Sequence, residues 1–363
     1  MAPPVRVCSS IMPDPEHVPP RDIVVVAASA GGVEALLNLV SGLPEGIQSA
    51  VFTLLHVPDN GTSVLHRILG RRSLVPVVAA VECQPIESGR VVVAPPGRHL
   101  ALDPGFARLL SGPRENGHRP AADVLFRSAA AAYGARVIGV VMSGADDDGA
   151  AGLVAIKRAG GLAVVQDPKE ALHSRMPESA LSAVKVDHCL PVHEIANLIA
   201  ALAPAQSLLG KDSAVPEPKR HKTPEKGVPA IEKGYQDGEP AVYTCPECHG
   251  TLWEIDDGDV VRFRCRVGHA YTAEHLLAGQ EQEVESAVCM AIRTLEEKAQ
   301  LTGNLGARAR KRGLRHVAKR FEESSDEAGQ AAETLRELLL SGHAGVLNAG
   351  GEVVTAEGAT IGT

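Results

Sequence analysis

Between residues 21 and 203, short continuous apolar runs alternate with stretches of helical spacing. DIVVVAAS, SAVFTLLHV, GRVVVAPP, RVIGVVMSG and LAVVQD read as strands. GVEALLNLVSGL, with Val33, Leu36, Leu37 and Val40 at helical intervals, reads as a helix, as do ADVLFRSAAAAYG, GAAGLVAIKRAG and HEIANLIAALA. Strands without polar alternation are covered on both faces. Separated by helices, they predict an α/β fold built on a doubly wound, mostly parallel sheet. Ligands of such sheets bind at the carboxyl ends of the strands.

From about Pro204 to Pro240 this pattern stops. The segment is charged, proline-rich and poor in apolar residues, so it is expected to be a flexible linker. A small unit follows over 241–271. Helical spacing then begins near Thr272 and runs through Leu277, Val284, Val288, Ile292 and Leu295. A second amphipathic stretch carries Leu314, Val317, Phe321, Leu335, Leu338 and Leu339, with a break near Gly313. The helical region 272–341 is expected to form a hairpin or a coiled-coil surface for a partner protein. The Gly/Ala-rich tail 342–363 and the proline-rich residues 1–20 are expected to be disordered. The α/β part is expected to span 21–203 and the linker 204–240.

Composition narrows the partners. A net charge of −8 argues against nucleic acid, which demands a basic footprint. No signal-peptide-like run and no apolar stretch of membrane-spanning length is present, so a cytoplasmic protein without membrane insertion is expected. The 3% aromatic content predicts Ala/Val/Leu-rich packing of helices on the sheet. Seven cysteines, an odd number without an export signal, argue against a disulfide framework.

Four potential metal ligands have telling spacing. Cys245-x2-Cys248 is followed, sixteen residues on, by Cys265-x3-His269, and the intervening TLWEIDDGDVVRFR reads as a hairpin turning at Asp257-Gly258. Two such pairs suit tetrahedral zinc in a zinc ribbon. Four protein ligands close the site, so the metal is expected to be structural, with none required for catalysis. His249 is a competing ligand, but it adjoins Cys248 and would strain the chelate.

Three strand ends of the α/β part carry chemistry: Ser29 in AASAGG, His56 in LLHVPD, and Asp146 to Asp148 in VVMSGADDDGAAG. Meeting at one sheet edge, they would supply what acyl transfer needs. A serine requires a base, and the imidazole requires a carboxylate to orient it. Gly31 and Gly32 permit a tight turn and an open approach to the serine. Each residue also has a plainer reading. Ser29 suits a helix N-cap, His56 a polar surface position, and the aspartates a helix start or a divalent-metal site. SAGG lacks the spacing of a dinucleotide loop and the Lys-Ser/Thr of a P-loop, and it is not a G-x-S-x-G elbow.

Six segments in order, VVAASAGGVEAL, LLHVP, VVVAPPGRHL, RPAADVLFRSAA, GVVMSGADDDGAAGL and VVQDPKEALHSRMPESAL, resemble the catalytic domain of the chemotaxis protein-glutamate methylesterase family over about residues 21–200. The resemblance implies hydrolysis of glutamate γ-methyl esters on chemoreceptors. It extends to deamidation of receptor glutamines by the same chemistry. It places the nucleophile on Ser29, the base on His56 and the orienting acid on Asp148, gives His99 a secondary role, and leaves Asp123 either functional or structural. Ala30 stands where the family usually has threonine, and Ala145 and Asp146 replace a methionine and a glycine. The added carboxylates are expected to raise the neighbouring histidine's pKa or to alter receptor preference. The family's N-terminal receiver domain has no room in residues 1–20, so control is expected to be absent or to come from the C-terminal half. The other reading is a catalytically silent esterase-like domain that binds receptors or a signalling partner; the presence of Ser29, His56 and Asp148 together favours the enzyme.

Overall fold

The computed structural model describes residues 21–58, 64–204, 238–256 and 260–340. Segment 1–20, nearly all of the linker, the turn at Asp257-Gly258 and the tail 342–363 lie outside them. The chain forms two compact units, divided between Leu276 and Leu277.

The first unit is built on β1 (Ile23–Ala28), β2 (Ala50–Leu55), β3 (Val77–Ala79), β5 (Arg90–Val93), β8 (Val137–Val141), β9 (Leu162–Gln166) and β10 (His188–Leu190). They form a seven-stranded sheet of order β10-β9-β8-β1-β2-β5-β3, in which every described pairing is parallel. The short strands β4 (Gln84–Pro85), β6 (His99–Asp103) and β7 (Phe106–Leu110) form a separate antiparallel sheet. Helices α1 (Gly32–Gly42), α2 (Leu65–Gly70), α3 (Ala122–Tyr133), α4 (Ala150–Arg158), α5 (Arg175–Ala183) and α6 (Val192–Leu202) cover the main sheet.

The continuous apolar runs have the expected cause. Along β1, Ile23, Val25 and Ala27 enter one core with Leu125, Leu153 and Met176. Val24, Val26 and Ala28 enter the other, with Leu36, Leu39 and Ile195. All six β1 residues are fully buried. Each aliphatic side chain there contributes about 1.5–3 kcal/mol by leaving water, so the sheet centre is a rigid base for the loops at its edge.

The ribbon region forms a second antiparallel sheet of β11 (Glu239–Thr244), β12 (Thr251–Asp256), β13 (Val261–Cys265) and β14 (Ala270–Thr272). It belongs to the same compact unit as the α/β part. Buried Glu115 joins the two: Arg127 of α3 lies 2.6 Å from its carboxylate, and Arg262 of β13 pairs with it directly. Burial alone would raise the Glu115 pKa, but the guanidinium charges of Arg127, Arg262 and Arg264 hold it at about 2. Glu115→Ala would leave these arginines buried without their shared counter-charge. It is expected to destabilise this unit by about 3–5 kcal/mol, read as a lower urea midpoint. A loss under about 1 kcal/mol would show that the arginines are solvated instead.

The second unit consists of α7 (Ala273–Lys311), from Leu277 onward, and α8 (Arg315–Leu340). Gly313, with φ +75°, makes the break between them. Ser325 Oγ donates to the Ala299 carbonyl, and Arg336 pairs with Glu296, so the helices form an antiparallel hairpin. Ile292, Ala309, Ala318, Ala328 and Ala332 are buried, whereas Leu277, Val284 and Leu301 are exposed. No described helix is long and apolar enough to cross a membrane.

Candidate active site

β8, β1 and β2 are adjacent, so the residues that follow them meet at one edge. The chain leaves β1 toward β2 on one side and later returns as β8 on the other, which opens a crevice at the carboxyl ends. Main-chain bonds stitch the loops together: Ser29 N–H donates to Ser143 O at 2.9 Å, and His56 N–H to Ala28 O at 3.1 Å. Ser143 Oγ donates to Ala30 O at 2.8 Å.

Ser29 is not a helix cap. Helix α1 starts at Gly32, and its capping residue is Gly31, in the left-handed region at φ +72° with no side-chain cap bond. A Cβ at Gly31 would also meet Ser143 Oγ at 2.7 Å and Leu172 Cβ at 2.8 Å, so only glycine fits this turn. Among the described residues, no hydrogen bond joins Ser29 Oγ to any partner. Ser29, His56, Val57, Pro58, Arg114, Gly117, His118 and Arg119 line one cavity of about 350 Å³.

His56 is held at both ring nitrogens. Nε2 lies 2.9 Å from Asp148 Oδ2, and Nδ1 lies 3.1 Å from Asp146 Oδ2. His118 Nε2 reaches the same Asp146 oxygen at 3.1 Å, and the His118 ring stacks on His56 at 3.7 Å. Burial works against a charge on His56, but hydrogen bonds to Asp146 and Asp148 and their negative charges raise its pKa to about 10. Burial opposes ionisation of both carboxylates too. Bonds from His118 and His56 nevertheless hold Asp146 well below the usual range, and His56 holds Asp148 below it. At neutral pH the centre is therefore an imidazolium between two carboxylates.

Asp148 is fully buried. It accepts from the first N–H groups of α3, Ala122 at 2.5 Å and Asp123 at 3.1 Å, and from Asn116 Nδ2 at 3.0 Å. An anion at a helix N-terminus is stabilised by the unpaired N–H groups and the dipole there. Asp123 returns the arrangement: its Oδ1 accepts from Gly149 N–H at 3.1 Å and Gly152 N–H at 2.6 Å, at the start of α4. Burial and the charge of Asp148 push Asp123 up to about 7. Its place is thus to anchor the loop that carries Asp148.

The remaining residues singled out from the sequence separate by position. His99 is outside the cavity lining; its Nε2 donates to Pro113 O at 2.8 Å, and its Nδ1 accepts from Ala121 N–H at 3.2 Å. Burial lowers its pKa, so it acts as a neutral brace. Asp147 turns away from His56 toward Thr272 and His275. Asn116 and His118 were not identified from the sequence. Their one signal was the Asn-Gly turn in RENGHRP, and Asn116 indeed has φ +49°.

In the ribbon, one ligand atom each from Cys245, Cys248, Cys265 and His269 lies within 4.8 Å of the others. Cys248 Sγ is 3.5 Å from Cys265 Sγ, and His269 Nδ1 is 3.6 Å from Cys245 Sγ and 3.5 Å from Cys265 Sγ. A tetrahedral zinc with ordinary bond lengths sets such edges at about 3.5–3.8 Å. His269 Nε2 is 3.3 Å from Glu247, which presents Nδ1 to the cluster. His249 is outside the group; it turns the chain at φ +55°.

At the carboxyl edge of the parallel sheet, Ser29 and His56 thus line one cavity, and buried Asp148 is bonded to the His56 ring. The CheB methylesterase family model matches residues 24–199. A protein-glutamate methylesterase/protein-glutamine glutaminase of Anaeromyxobacter dehalogenans is 40% identical over 174 residues, 48% of this chain and 51% of that protein. A Leptospira interrogans relative, provisionally named for the same two activities, is 38% identical over 182 residues, 50% of this chain and 94% of its own. The crystal structure of the Thermotoga maritima CheB methylesterase catalytic domain aligns with 50% of this chain and 99% of its own, at 28% identity and a TM-score of 0.49. The chain belongs to the CheB methylesterase family.

Proposed function

We propose that this protein is a cytoplasmic protein-glutamate methylesterase. It hydrolyses γ-methyl esters of glutamate on chemoreceptors and deamidates receptor glutamines by the same acyl chemistry. Support for the assignment of roles comes from the meeting of Ser29 and His56 at one cavity and from the bond of buried Asp148 to His56, the three following neighbouring strands. Ser29 Oγ attacks the ester carbonyl and His56 takes its proton. The oxyanion is stabilised by the main-chain N–H groups of Ala30 and Gly31, for which no described residue is an acceptor. His56 returns the proton to the methanol leaving group, and water repeats the sequence on the acyl-enzyme to restore the carboxylate. Asp148 orients the imidazole and balances its charge. Asp146 must first release the His56 nitrogen that it holds, because an imidazole donating at both nitrogens is no base.

No cofactor takes part in these steps. The ribbon cysteines and His269 hold zinc as a structural ion. Purified protein is expected to contain about one zinc per chain by elemental analysis, and Cys248→Ser to lose it; equal zinc in both would remove the ion from the ribbon. The functional test is methanol release from a purified methylated receptor, together with labelling by a fluorophosphonate probe mapped by mass spectrometry. Release with label on the Ser29 peptide supports the reading. No release and no label on Ser29 would leave the silent, receptor-binding alternative.

A further inference from the structure

The ribbon is bonded to the loop that carries the catalytic acid. The segment before α3 runs beside β14: Asn116 N–H donates to Ala270 O at 2.8 Å, and Ala270 N–H to Arg114 O at 3.4 Å. Asn116 is 1% exposed and every polar group on its side chain is used. Its Nδ2 donates to Asp148 Oδ1 and to Asp123 Oδ2, each at 3.0 Å, and its Oδ1 accepts from Thr272 N–H at 3.0 Å. Two carboxylate neighbours fix the amide orientation, since only NH2 can donate to both. Asp147, next to Asp148, is held in parallel by Thr272 Oγ1 and by His275 Nδ1.

We propose that Asn116 is a positioning residue for the Asp148 carboxylate, and that the ribbon, through Ala270 and Thr272, holds Asn116 in place. The inference rests on the methylesterase reading of the site. Three features separate this role from general packing. Asn116 adopts a left-handed backbone that a residue with a Cβ enters at a cost. Its four hydrogen bonds divide evenly between the two buried carboxylates and the ribbon main chain. It also lies between two carboxylates close enough to disfavour each other's ionisation, and its donors offset that repulsion. A ribbon that loses its metal loses the conformation of β14, and the Asp148 loop then loses a fixed contact.

The experiment uses the full chain. Wild type, Asn116→Ala, Cys248→Ser and the double variant are compared for kcat and KM of methyl-ester hydrolysis. Zinc affinity of wild type and Asn116→Ala is read by competition with a chromogenic chelator. Asn116→Ala is expected to lower kcat about 10- to 100-fold with KM within about twofold, the signature of a misplaced catalytic group. Cys248→Ser is expected to do the same, and the double variant to be no worse than the worse single. Because coupling is reciprocal, Asn116→Ala should also weaken zinc binding about fivefold or more. If Asn116→Ala fails to fold, zinc is stripped from wild type, with circular dichroism confirming that the α/β core persists. Undiminished kcat in any folded Asn116→Ala, Cys248→Ser or zinc-free protein, or fully multiplicative losses, would overturn the proposal. A wild type that releases no methanol overturns the methylesterase reading alone; the zinc-affinity comparison still decides whether Asn116 links the two sites.

Discussion

Ser29→Ala is expected to reduce methanol release on the order of 10,000-fold or more, the scale of losing the nucleophile of a serine hydrolase. The substitution is unusually clean. The bonds that fix Ser29 are main-chain ones, from its N–H to Ser143 O and from Gly32 N–H to its own carbonyl. No described residue bonds its hydroxyl, and Gly31 rather than Ser29 caps α1. The variant should therefore melt like wild type, keep the Ala30 and Gly31 N–H groups in place, and bind receptor. Residual activity from those donors alone is compatible with the mechanism. Release equal to wild type would exclude Ser29 as nucleophile.

Asp146→Asn is expected to raise activity at neutral pH. His56 faces Asp146 and Asp148 at its two nitrogens, His118 on its ring face, and Arg114 and Arg119 elsewhere around the cavity. With its pKa raised to about 10, the protonated form prevails at pH 7 and the free base is scarce. The rate should then climb as pH rises through that value. Asparagine keeps the shape of residue 146 but removes one of the two charges holding the proton, so the pKa falls toward the ordinary imidazole value of about 6.5. Each unit of that fall gives about tenfold more base at pH 7, so a gain on the order of 10- to 1,000-fold in kcat/KM is expected there, converging with wild type above pH 10. The acid limb of kcat/KM against pH checks this directly. An unmoved limb would show that Asp146 leaves His56 before catalysis without cost. The position is occupied by glycine in the family pattern that the sequence resembles.

The α/β part was legible because its signals are local. An apolar run such as IVVVAA is buried on both faces wherever its sheet lies, and its length and bounding turns identify it without knowledge of the rest. Cys245-x2-Cys248 and Cys265-x3-His269 are legible for the same reason, since a chelating turn is set by chain spacing. Ser29, His56 and Asp148 were legible as strand-end residues, and the six-segment resemblance singled them out. Their local context left the capping and surface readings open.

What the chain determined by itself was the order of strands and helices, the polar residues at their ends and the spacing of the ribbon ligands. These depend on periodicity and covalent distance. Only the tertiary structure decided that Asp146 and Asp148 grip opposite nitrogens of His56 while Asp147 turns to Thr272, and that the start of α3 supplies two of the four donors to Asp148, with Asn116 and His56 supplying the other two. It alone brought the ribbon against the site, pairing Glu115 with Arg262 and Asn116 with Thr272. Partners 90 to 156 residues apart in sequence leave no periodic trace. Three adjacent aspartates are chemically alike until packing sets Asp146 and Asp148 on the two nitrogens of His56 and turns Asp147 to Thr272 and His275.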